Sequence, residues 1–377
     1  MLVVTNDFPP KVGGINYYVS EIARRFPPGE MTVFASNWPG AAGFDADFPQ
    51  RVVRWPARTL LPTPAAYRAV ARLVRDERPD LLLFGACVPL ALLGRPIQRR
   101  FGTAYATFTH GVEIAASRLP IGRTFLRSVG HSAALVTAVS HWTARRLAPF
   151  IGPRTRLEVL PSGIDAPQFR PDVSADAIVA RHGLGPGPIL CCVSRLVARK
   201  GQDQVIRALP QLAAEWPDIR FLIVGGGPDE QRLRTLATRQ GVSERVVFAG
   251  EVPYVDLPAY FRCGEIFVMP CRSRFLGFET EALGAVYLQA AAVGRPVIAG
   301  DAGGAPEGVR RGETGLVVDG TSVPAIRAAI ADLLRDPVRA DVMGRAGADW
   351  VHRALTWETI ARDLQAMLSE CVGRSTG

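Results

Sequence analysis

Short apolar runs alternate with stretches of helical periodicity along almost the whole chain. Runs of four to six residues occupy positions 2–5, 31–35, 81–84, 103–108, 135–139 and 157–160. The pattern then restarts at 189–194, 221–224, 246–249, 266–269, 296–299 and 315–318. Between the runs, positions such as 15–26, 204–215, 229–240, 287–292 and 323–334 carry the three-to-four-residue apolar spacing of amphipathic helices. Mostly uncharged strands flanked by such helices are buried on both faces, so mostly parallel sheets are expected, with ligands beyond the carboxyl ends of the strands. Two βα arrays in series predict an α/β chain of two Rossmann-like domains, divided near Pro161, Ser162, Gly163 and Ile164.

Length and composition agree with this picture: 377 residues, 48% hydrophobic and 21% charged, suffice for two cores. The first residues begin at once as a strand, without the basic flank and long apolar core of an export signal, so a cytoplasmic protein is expected. The longest uncharged apolar stretch, residues 81–94, is broken by Gly85 and Pro89, and no transmembrane helix is predicted. Six cysteines lack any paired CxxC spacing, which predicts buried thiols and neither zinc nor a disulfide framework.

Charge adds an asymmetry. Residues 1–163 hold 20 Lys and Arg against 10 Asp and Glu, whereas residues 164–377 hold 24 against 25. The whole excess lies in the first half, which points to an anionic partner there: lipid headgroups, nucleic acid or a phosphorylated substrate. No basic cluster interleaved with aromatics appears, so nucleic acid is not expected.

Among 44 basic residues only Lys11 and Lys200 are lysines. Lysine is a compact, mobile point charge suited to a phosphate oxygen. Lys200 follows the expected strand 189–194, stands five residues after Arg195, and precedes Gly201 at the start of a helix, so Arg195 and Lys200 read as a pyrophosphate clamp. Gly13 and Gly14 form a glycine turn between the first strand and a helix, and Gly225 and Gly226 repeat the device in the second half. Such turns let backbone approach a phosphate oxygen closely, or are simple turns. One turn per domain suggests a ligand held between the two.

These residues carry a resemblance. Asn6-Asp7-Phe8-Pro9-Pro10 with Gly13-Gly14, Thr109-His110-Gly111, Ser194-Arg195 with Lys200-Gly201, Met269-Pro270 and Gly303-Gly304-Ala305-Pro306-Glu307 are similar, end to end, to the retaining glycosyltransferases of family 4. Within that family the chain resembles the GDP-mannose-dependent phosphatidylinositol-mannoside mannosyltransferases. The resemblance implies the glycosyltransferase B fold: two Rossmann-like domains with mostly parallel sheets facing across a cleft. It implies an acceptor-binding domain at 1–163 completed by a crossover helix at 350–377, and a nucleotide-sugar-binding domain at 164–349. It also implies transfer of a hexosyl group, as mannose from GDP-mannose, to a glycolipid hydroxyl. Arg195 and Lys200 would then bind the donor diphosphate, with Gly13, Gly14, Gly225 and Gly226 near its phosphates and sugar. His110 and Glu281 would position the sugar, and Asp7 would face the acceptor. No tightly bound cofactor is implied, and with cationic side chains already compensating the diphosphate the resemblance implies a reaction that needs no metal.

The chain departs from the family's Glu-x7-Glu motif, because Glu281 is followed eight positions later by Gln289. An amide has one acceptor oxygen where a carboxylate has two, so the grip on the donor ribose is expected to weaken or change. Donor base therefore stays open between GDP- and UDP-sugars. Arg68, Arg72 and Arg75 recur at helical spacing opposite Val70, Leu73 and Val74, which suits an anionic lipid acceptor and peripheral contact with the inner face of the plasma membrane, or a solvated helix. The alternatives are a transferase acting on a small polyol such as a cyclitol or a natural product, an epimerase of the same architecture, and a non-catalytic nucleotide-sugar-binding protein.

Overall fold

The computed structural model describes residues 1–373, which form two compact units. The first contains Met1–Gly163 and the chain from Trp357 onward; the second is Ile164–Thr356. No helix of the described residues is long and apolar enough to cross a membrane.

The first unit is built on seven strands: β1 (Leu2–Thr5), β2 (Thr32–Ser36), β3 (Arg51–Trp55), β4 (Leu81–Phe84), β5 (Ala104–Thr109), β6 (Leu135–Ala138) and β7 (Arg156–Val159). Every pairing is parallel, in the order β3-β2-β1-β4-β5-β6-β7. The helices are α1 (Gly14–Arg24), α2 (Ala41–Ala46), α3 (Pro64–Glu77), α4 (Gly94–Phe101), α5 (Val112–Ala116), α6 (Pro120–Gly130) and α7 (His141–Leu147). β1, β4 and β5 are buried along their whole length, as their uncharged sequences require. β3 is absent from the expected strands. It is an edge strand whose Arg51 and Arg54 break its apolar signal into Val52-Val53 and a lone Trp55.

The second unit has six parallel strands: β8 (Ile189–Val193), β9 (Arg220–Val224), β10 (Val246–Gly250), β11 (Ile266–Met269), β12 (Val297–Gly300) and β13 (Gly315–Val318), ordered β10-β9-β8-β11-β12-β13. Its helices are α8 (Asp176–His182), α9 (Gln202–Glu215), α10 (Glu230–Arg239), α11 (Leu257–Cys263), α12 (Ala285–Ala292), α13 (Val323–Arg335) and α14 (Pro337–Ala354). α15 (Trp357–Gly373) then returns to the first unit.

The expected boundary at 349/350 is corrected to 356/357, and residues 374–377 of the expected crossover helix lie outside the described residues. α14 runs through position 350 with Val351 fully buried, and Ile164 N–H donates to the Leu355 carbonyl, so residues 350–356 remain with the second unit. The change of unit comes at Trp357, which is fully buried with its ring edge-on to Tyr17 and Tyr18. A Cβ on Gly163 would lie 2.6 Å from the Trp357 ring, so this glycine is needed for the indole to seat. Farther along, Arg25 pairs with Glu358 and Arg156 with Glu370. All six cysteines are buried thiols.

In each sheet the strand order reverses once, between β1 and β4 in the first and between β8 and β11 in the second. In open parallel sheets the helices diverge at that point and leave a crevice beyond the carboxyl ends of the two strands.

Candidate active site

In the first unit the reversal is occupied by the loop between β1 and α1, by Gly85 after β4 and by His110 after β5. Thr5 Oγ1 accepts from Asp7 N–H at 3.0 Å, and the Asp7 carboxylate pairs with Lys11 Nζ at 2.7 Å. Asn16 donates to the Lys11 carbonyl at 2.6 Å, which turns the loop back onto the start of α1. A Cβ on Gly14 would meet nothing within 4 Å, so the space over that helix start is open. Gly85 has the opposite reason to be glycine, because a Cβ there would lie 2.6 Å from Thr5 Oγ1.

His110 stands beside this loop. Its Nε2 lies 2.8 Å from the Gly85 carbonyl, and its ring is edge-on to Tyr18 at 5.1 Å. A carbonyl only accepts, so Nε2 carries the proton. Burial lowers the pKa of the ring, against the opposing effects of the Gly85 carbonyl and the Asp7 charge. A neutral ring protonated on Nε2 leaves Nδ1 as an acceptor for a hydroxyl. Glu113, not among the expected site residues, fixes the backbone here: it is buried and accepts from the N–H groups of His110 and Gly111 at 3.1 and 3.0 Å. Burial raises its pKa, although these hydrogen bonds act the other way. An acid three residues after His110, in the first turn of a helix, is the signal by which the sequence could have shown it. Arg68 lies on the exposed face of α3.

In the second unit the reversal gathers charge. Arg195 is exposed just beyond β8, while Lys200 is buried, with Nζ 2.5 Å from Glu281 Oε2. Arg199 Nε lies 3.9 Å from the same oxygen and has no hydrogen-bond partner. Cys271 Sγ, just beyond β11, is 3.8 Å away. Burial would raise the Glu281 pKa, but the charge and hydrogen bond of Lys200, then Arg199, lower it on balance. Burial would likewise lower that of Lys200, and Glu281 raises it on balance. Both shifts favour the ionised pair. The Glu281 carbonyl accepts from Gly304 N–H, and the Arg199 carbonyl from Arg272 N–H, so backbone fixes both partners.

Gly225 and Gly226 lie beside this cluster, and packing gives each a reason to be glycine. Gly225 N–H already donates to the Gly250 carbonyl, and a Cβ on it would lie 2.2 Å from the Ser194 carbonyl oxygen. A Cβ on Gly226 would meet Glu251 Oε1 at 2.7 Å. These glycines bring the loop after β9 against the loop after β8, where Leu196 N–H donates to the Gly226 carbonyl. Gln289, on α12, is buried and donates from Nε2 to Tyr254 Oη at 3.3 Å, which leaves its carbonyl oxygen as an acceptor.

Two parallel sheets, each with ionic and hydrogen-bonding groups gathered at its strand-order reversal, define a glycosyltransferase of the two-domain B architecture. Residues 12–167 match the family described as Glycosyltransferase Family 4, and residues 175–350 match Glycosyl transferases group 1. The chain is similar to the GDP-mannose-dependent alpha-(1-6)-phosphatidylinositol monomannoside mannosyltransferase of Mycolicibacterium smegmatis, at 47% identity over 98% of each chain. It is 41% identical, over 97% of each chain, to a Corynebacterium glutamicum mannosyltransferase named for the monoacylated form of that lipid. Sucrose-phosphate synthase from Thermosynechococcus elongatus shares the fold, with a TM-score of 0.83 over 99% of each chain at 22% identity. The chain belongs to glycosyltransferase family 4.

Proposed function

We propose that the chain is a retaining, metal-independent mannosyltransferase that moves mannose from GDP-mannose to a hydroxyl of a phosphatidylinositol mannoside. The observation that carries this reading is the 47% identity, over 98% of both chains, to a relative named for that reaction. The Arg195, Lys200 and Glu281 cluster supports it chemically. As the bond from the anomeric carbon to the diphosphate breaks, negative charge grows on the leaving oxygen, and Arg195 and Lys200 stabilise it. The departing diphosphate takes the proton of the acceptor hydroxyl arriving on the same face, so configuration is retained and no protein base is required. Two side-chain cations supply the compensation that a divalent ion gives elsewhere.

Glu281 accepts from sugar hydroxyls, and His110 Nδ1 accepts from another. The open space over Gly14, with Gly13 beside it, admits the transferred sugar. Asp7 and Arg68 belong to the acceptor side. The reaction runs in the cytoplasm at the inner face of the plasma membrane, where a lipid acceptor is presented to the basic first unit. The test is product mass after incubation with GDP-mannose or UDP-sugars, with phosphatidylinositol monomannoside or a free cyclitol, and with or without a chelator. A mannosylated lipid from GDP-mannose alone, unchanged by chelator, is expected. A product only with the cyclitol, or sugar turnover without any acceptor, would overturn the acceptor assignment.

Gln289 faces the donor ribose in this reading. Exchanging its neutral hydrogen bond for a charge-assisted one should strengthen donor binding by about 1 kcal/mol. Gln289→Glu is therefore expected to lower the donor KM about fivefold with little change in kcat. An unchanged KM would remove residue 289 from the donor site.

A further inference from the structure

Glu281 is anchored through one oxygen only. Lys200 Nζ at 2.5 Å, Cys271 Sγ at 3.8 Å and Arg199 Nε at 3.9 Å all approach Oε2, and Oε1 accepts no hydrogen bond among the described residues. Oε1 is thus left for a ligand hydroxyl, and Oε2 is the handle that aims it. Of the three groups on that handle only Lys200 stands at full hydrogen-bonding distance, and a thiol is a weak donor. Arg199 is the anomaly. Its Nε is buried and donates to nothing, a costly state for a charged N–H group.

Arg199 is not a loose surface side chain. It is 30% exposed, and its carbonyl accepts from Arg272 N–H at 2.9 Å, which ties the loop after β8 to the loop after β11. The neighbouring guanidinium groups are committed elsewhere. Arg272 makes two bonds of 2.8 Å to the buried Asp203, and Arg232 pairs with Asp229 at 2.5 Å. Lys200, by contrast, has two claims on it, because the ammonium that holds Oε2 is also the group assigned to the donor diphosphate. A diphosphate oxygen attracts an ammonium at least as strongly as a carboxylate does. If Lys200 turns toward it, Glu281 needs another cation to stay ionised and aimed, and the unpartnered Arg199 Nε lies a short movement away. Paired with Glu281, Arg199 leaves Arg195 and Lys200 to face the two negative charges of a sugar-linked diphosphate.

We propose that Arg199 is a positioning residue for Glu281, taking over its Oε2 when a donor diphosphate engages Lys200, so that Oε1 stays directed at the sugar. The proposal rests on the donor site described above and adds a residue to it; no covalent bond or proton moves. Titration calorimetry on the full-length protein tests it by comparing GDP with GDP-mannose, since only the second carries the hydroxyls that Glu281 reads. Arg199→Gln is expected to lower the affinity for GDP-mannose roughly tenfold more than that for GDP, the size of one charge-assisted hydrogen bond. Arg199→Lys should recover most of that difference, because an ammonium can reach the same oxygen. In a Glu281→Ala background, Arg199→Gln should leave the ratio of the two affinities within about twofold, as coupled partners require. Equal losses for GDP and GDP-mannose would make Arg199 a diphosphate ligand or a general source of charge, and a lower melting temperature with both affinities unchanged would make it merely structural; either result overturns the proposal. So would a full additional loss in the Glu281→Ala background. The same series with UDP and UDP-glucose keeps the two readings apart. A wild type that takes only the UDP pair fails the GDP assignment, while Arg199→Gln still decides the role of Arg199 on that pair.

Discussion

Lys200→Ala is expected to lower the transfer rate by about 10²–10³-fold, the usual effect of removing one preorganised group that stabilises transition-state charge. The variant also removes the partner of Glu281, whose Oε2 accepts from Lys200 Nζ at 2.5 Å inside the second unit. A carboxylate only 12% exposed and left without its cation costs stability, about 3 kcal/mol if nothing replaces the partner. Arg199 reduces that cost, because its Nε is already 3.9 Å from the same oxygen and carries no hydrogen bond. The two effects separate in the double variant Lys200→Ala/Glu281→Gln. It should recover much of the thermal stability while the rate stays low, since neutralising Glu281 restores no charge at the diphosphate. Near-normal turnover by folded Lys200→Ala would take Lys200 out of the mechanism.

The same pair sets a pH window. The Glu281 pKa is lowered below its ordinary 4.5, so its contribution is complete above that value and is lost as pH falls through the folded pKa. The Lys200 pKa is raised above 10.5, so its contribution is complete below that value and is lost as pH rises through the folded pKa. Between these limits the pair should contribute evenly to stability. A melting difference between the wild type and the double variant that varied strongly across neutral pH would contradict this assignment.

Twelve strands were legible because parallel strands covered on both faces read as short, mostly uncharged apolar runs. β3 was not, since an edge strand tolerates the two arginines that hide it. Arg195, Lys200 and Gly201 were legible together because they lie on one loop between a strand and a helix. The partner of Lys200 is another matter. Glu281 is 81 residues away, brought there because β8 and β11 are neighbours only in the folded sheet. Arg199 was passed over for the same reason: its significance lies in its distance to Glu281, not in its place beside Lys200. Gly225 has a reason to be glycine that spacing does not report, the Ser194 backbone carbonyl packed against it. Spacing reports what a residue type permits, and packing decides whether the space is taken by protein or left for a ligand.

Gly201→Ala is expected to be among the most damaging single-methyl changes in the second unit. Gly201 caps α9 with φ +83°, a conformation that costs an alanine about 1–2 kcal/mol. The added Cβ would also lie 2.2 Å from the Pro270 carbonyl oxygen, well inside contact distance, and that atom is backbone at the end of β11. Relief requires the loop after β8 to separate from the loop after β11, the two segments that carry Lys200 and Cys271. A loss of about 3 kcal/mol or more is expected, as for other overpacked sites held by backbone. Because Lys200 is adjacent, transfer by the remaining folded protein should fall as well. Gly241→Ala supplies the control: φ is +67°, yet a Cβ there would meet nothing within 4 Å, so only the conformational cost applies. Thermal melting of the two variants, read beside their transfer rates, isolates the clash. If Gly201→Ala melts no lower than Gly241→Ala and transfers as fast, the two loops are not held together at that carbonyl, and the geometry proposed for Lys200 and Glu281 loses its support.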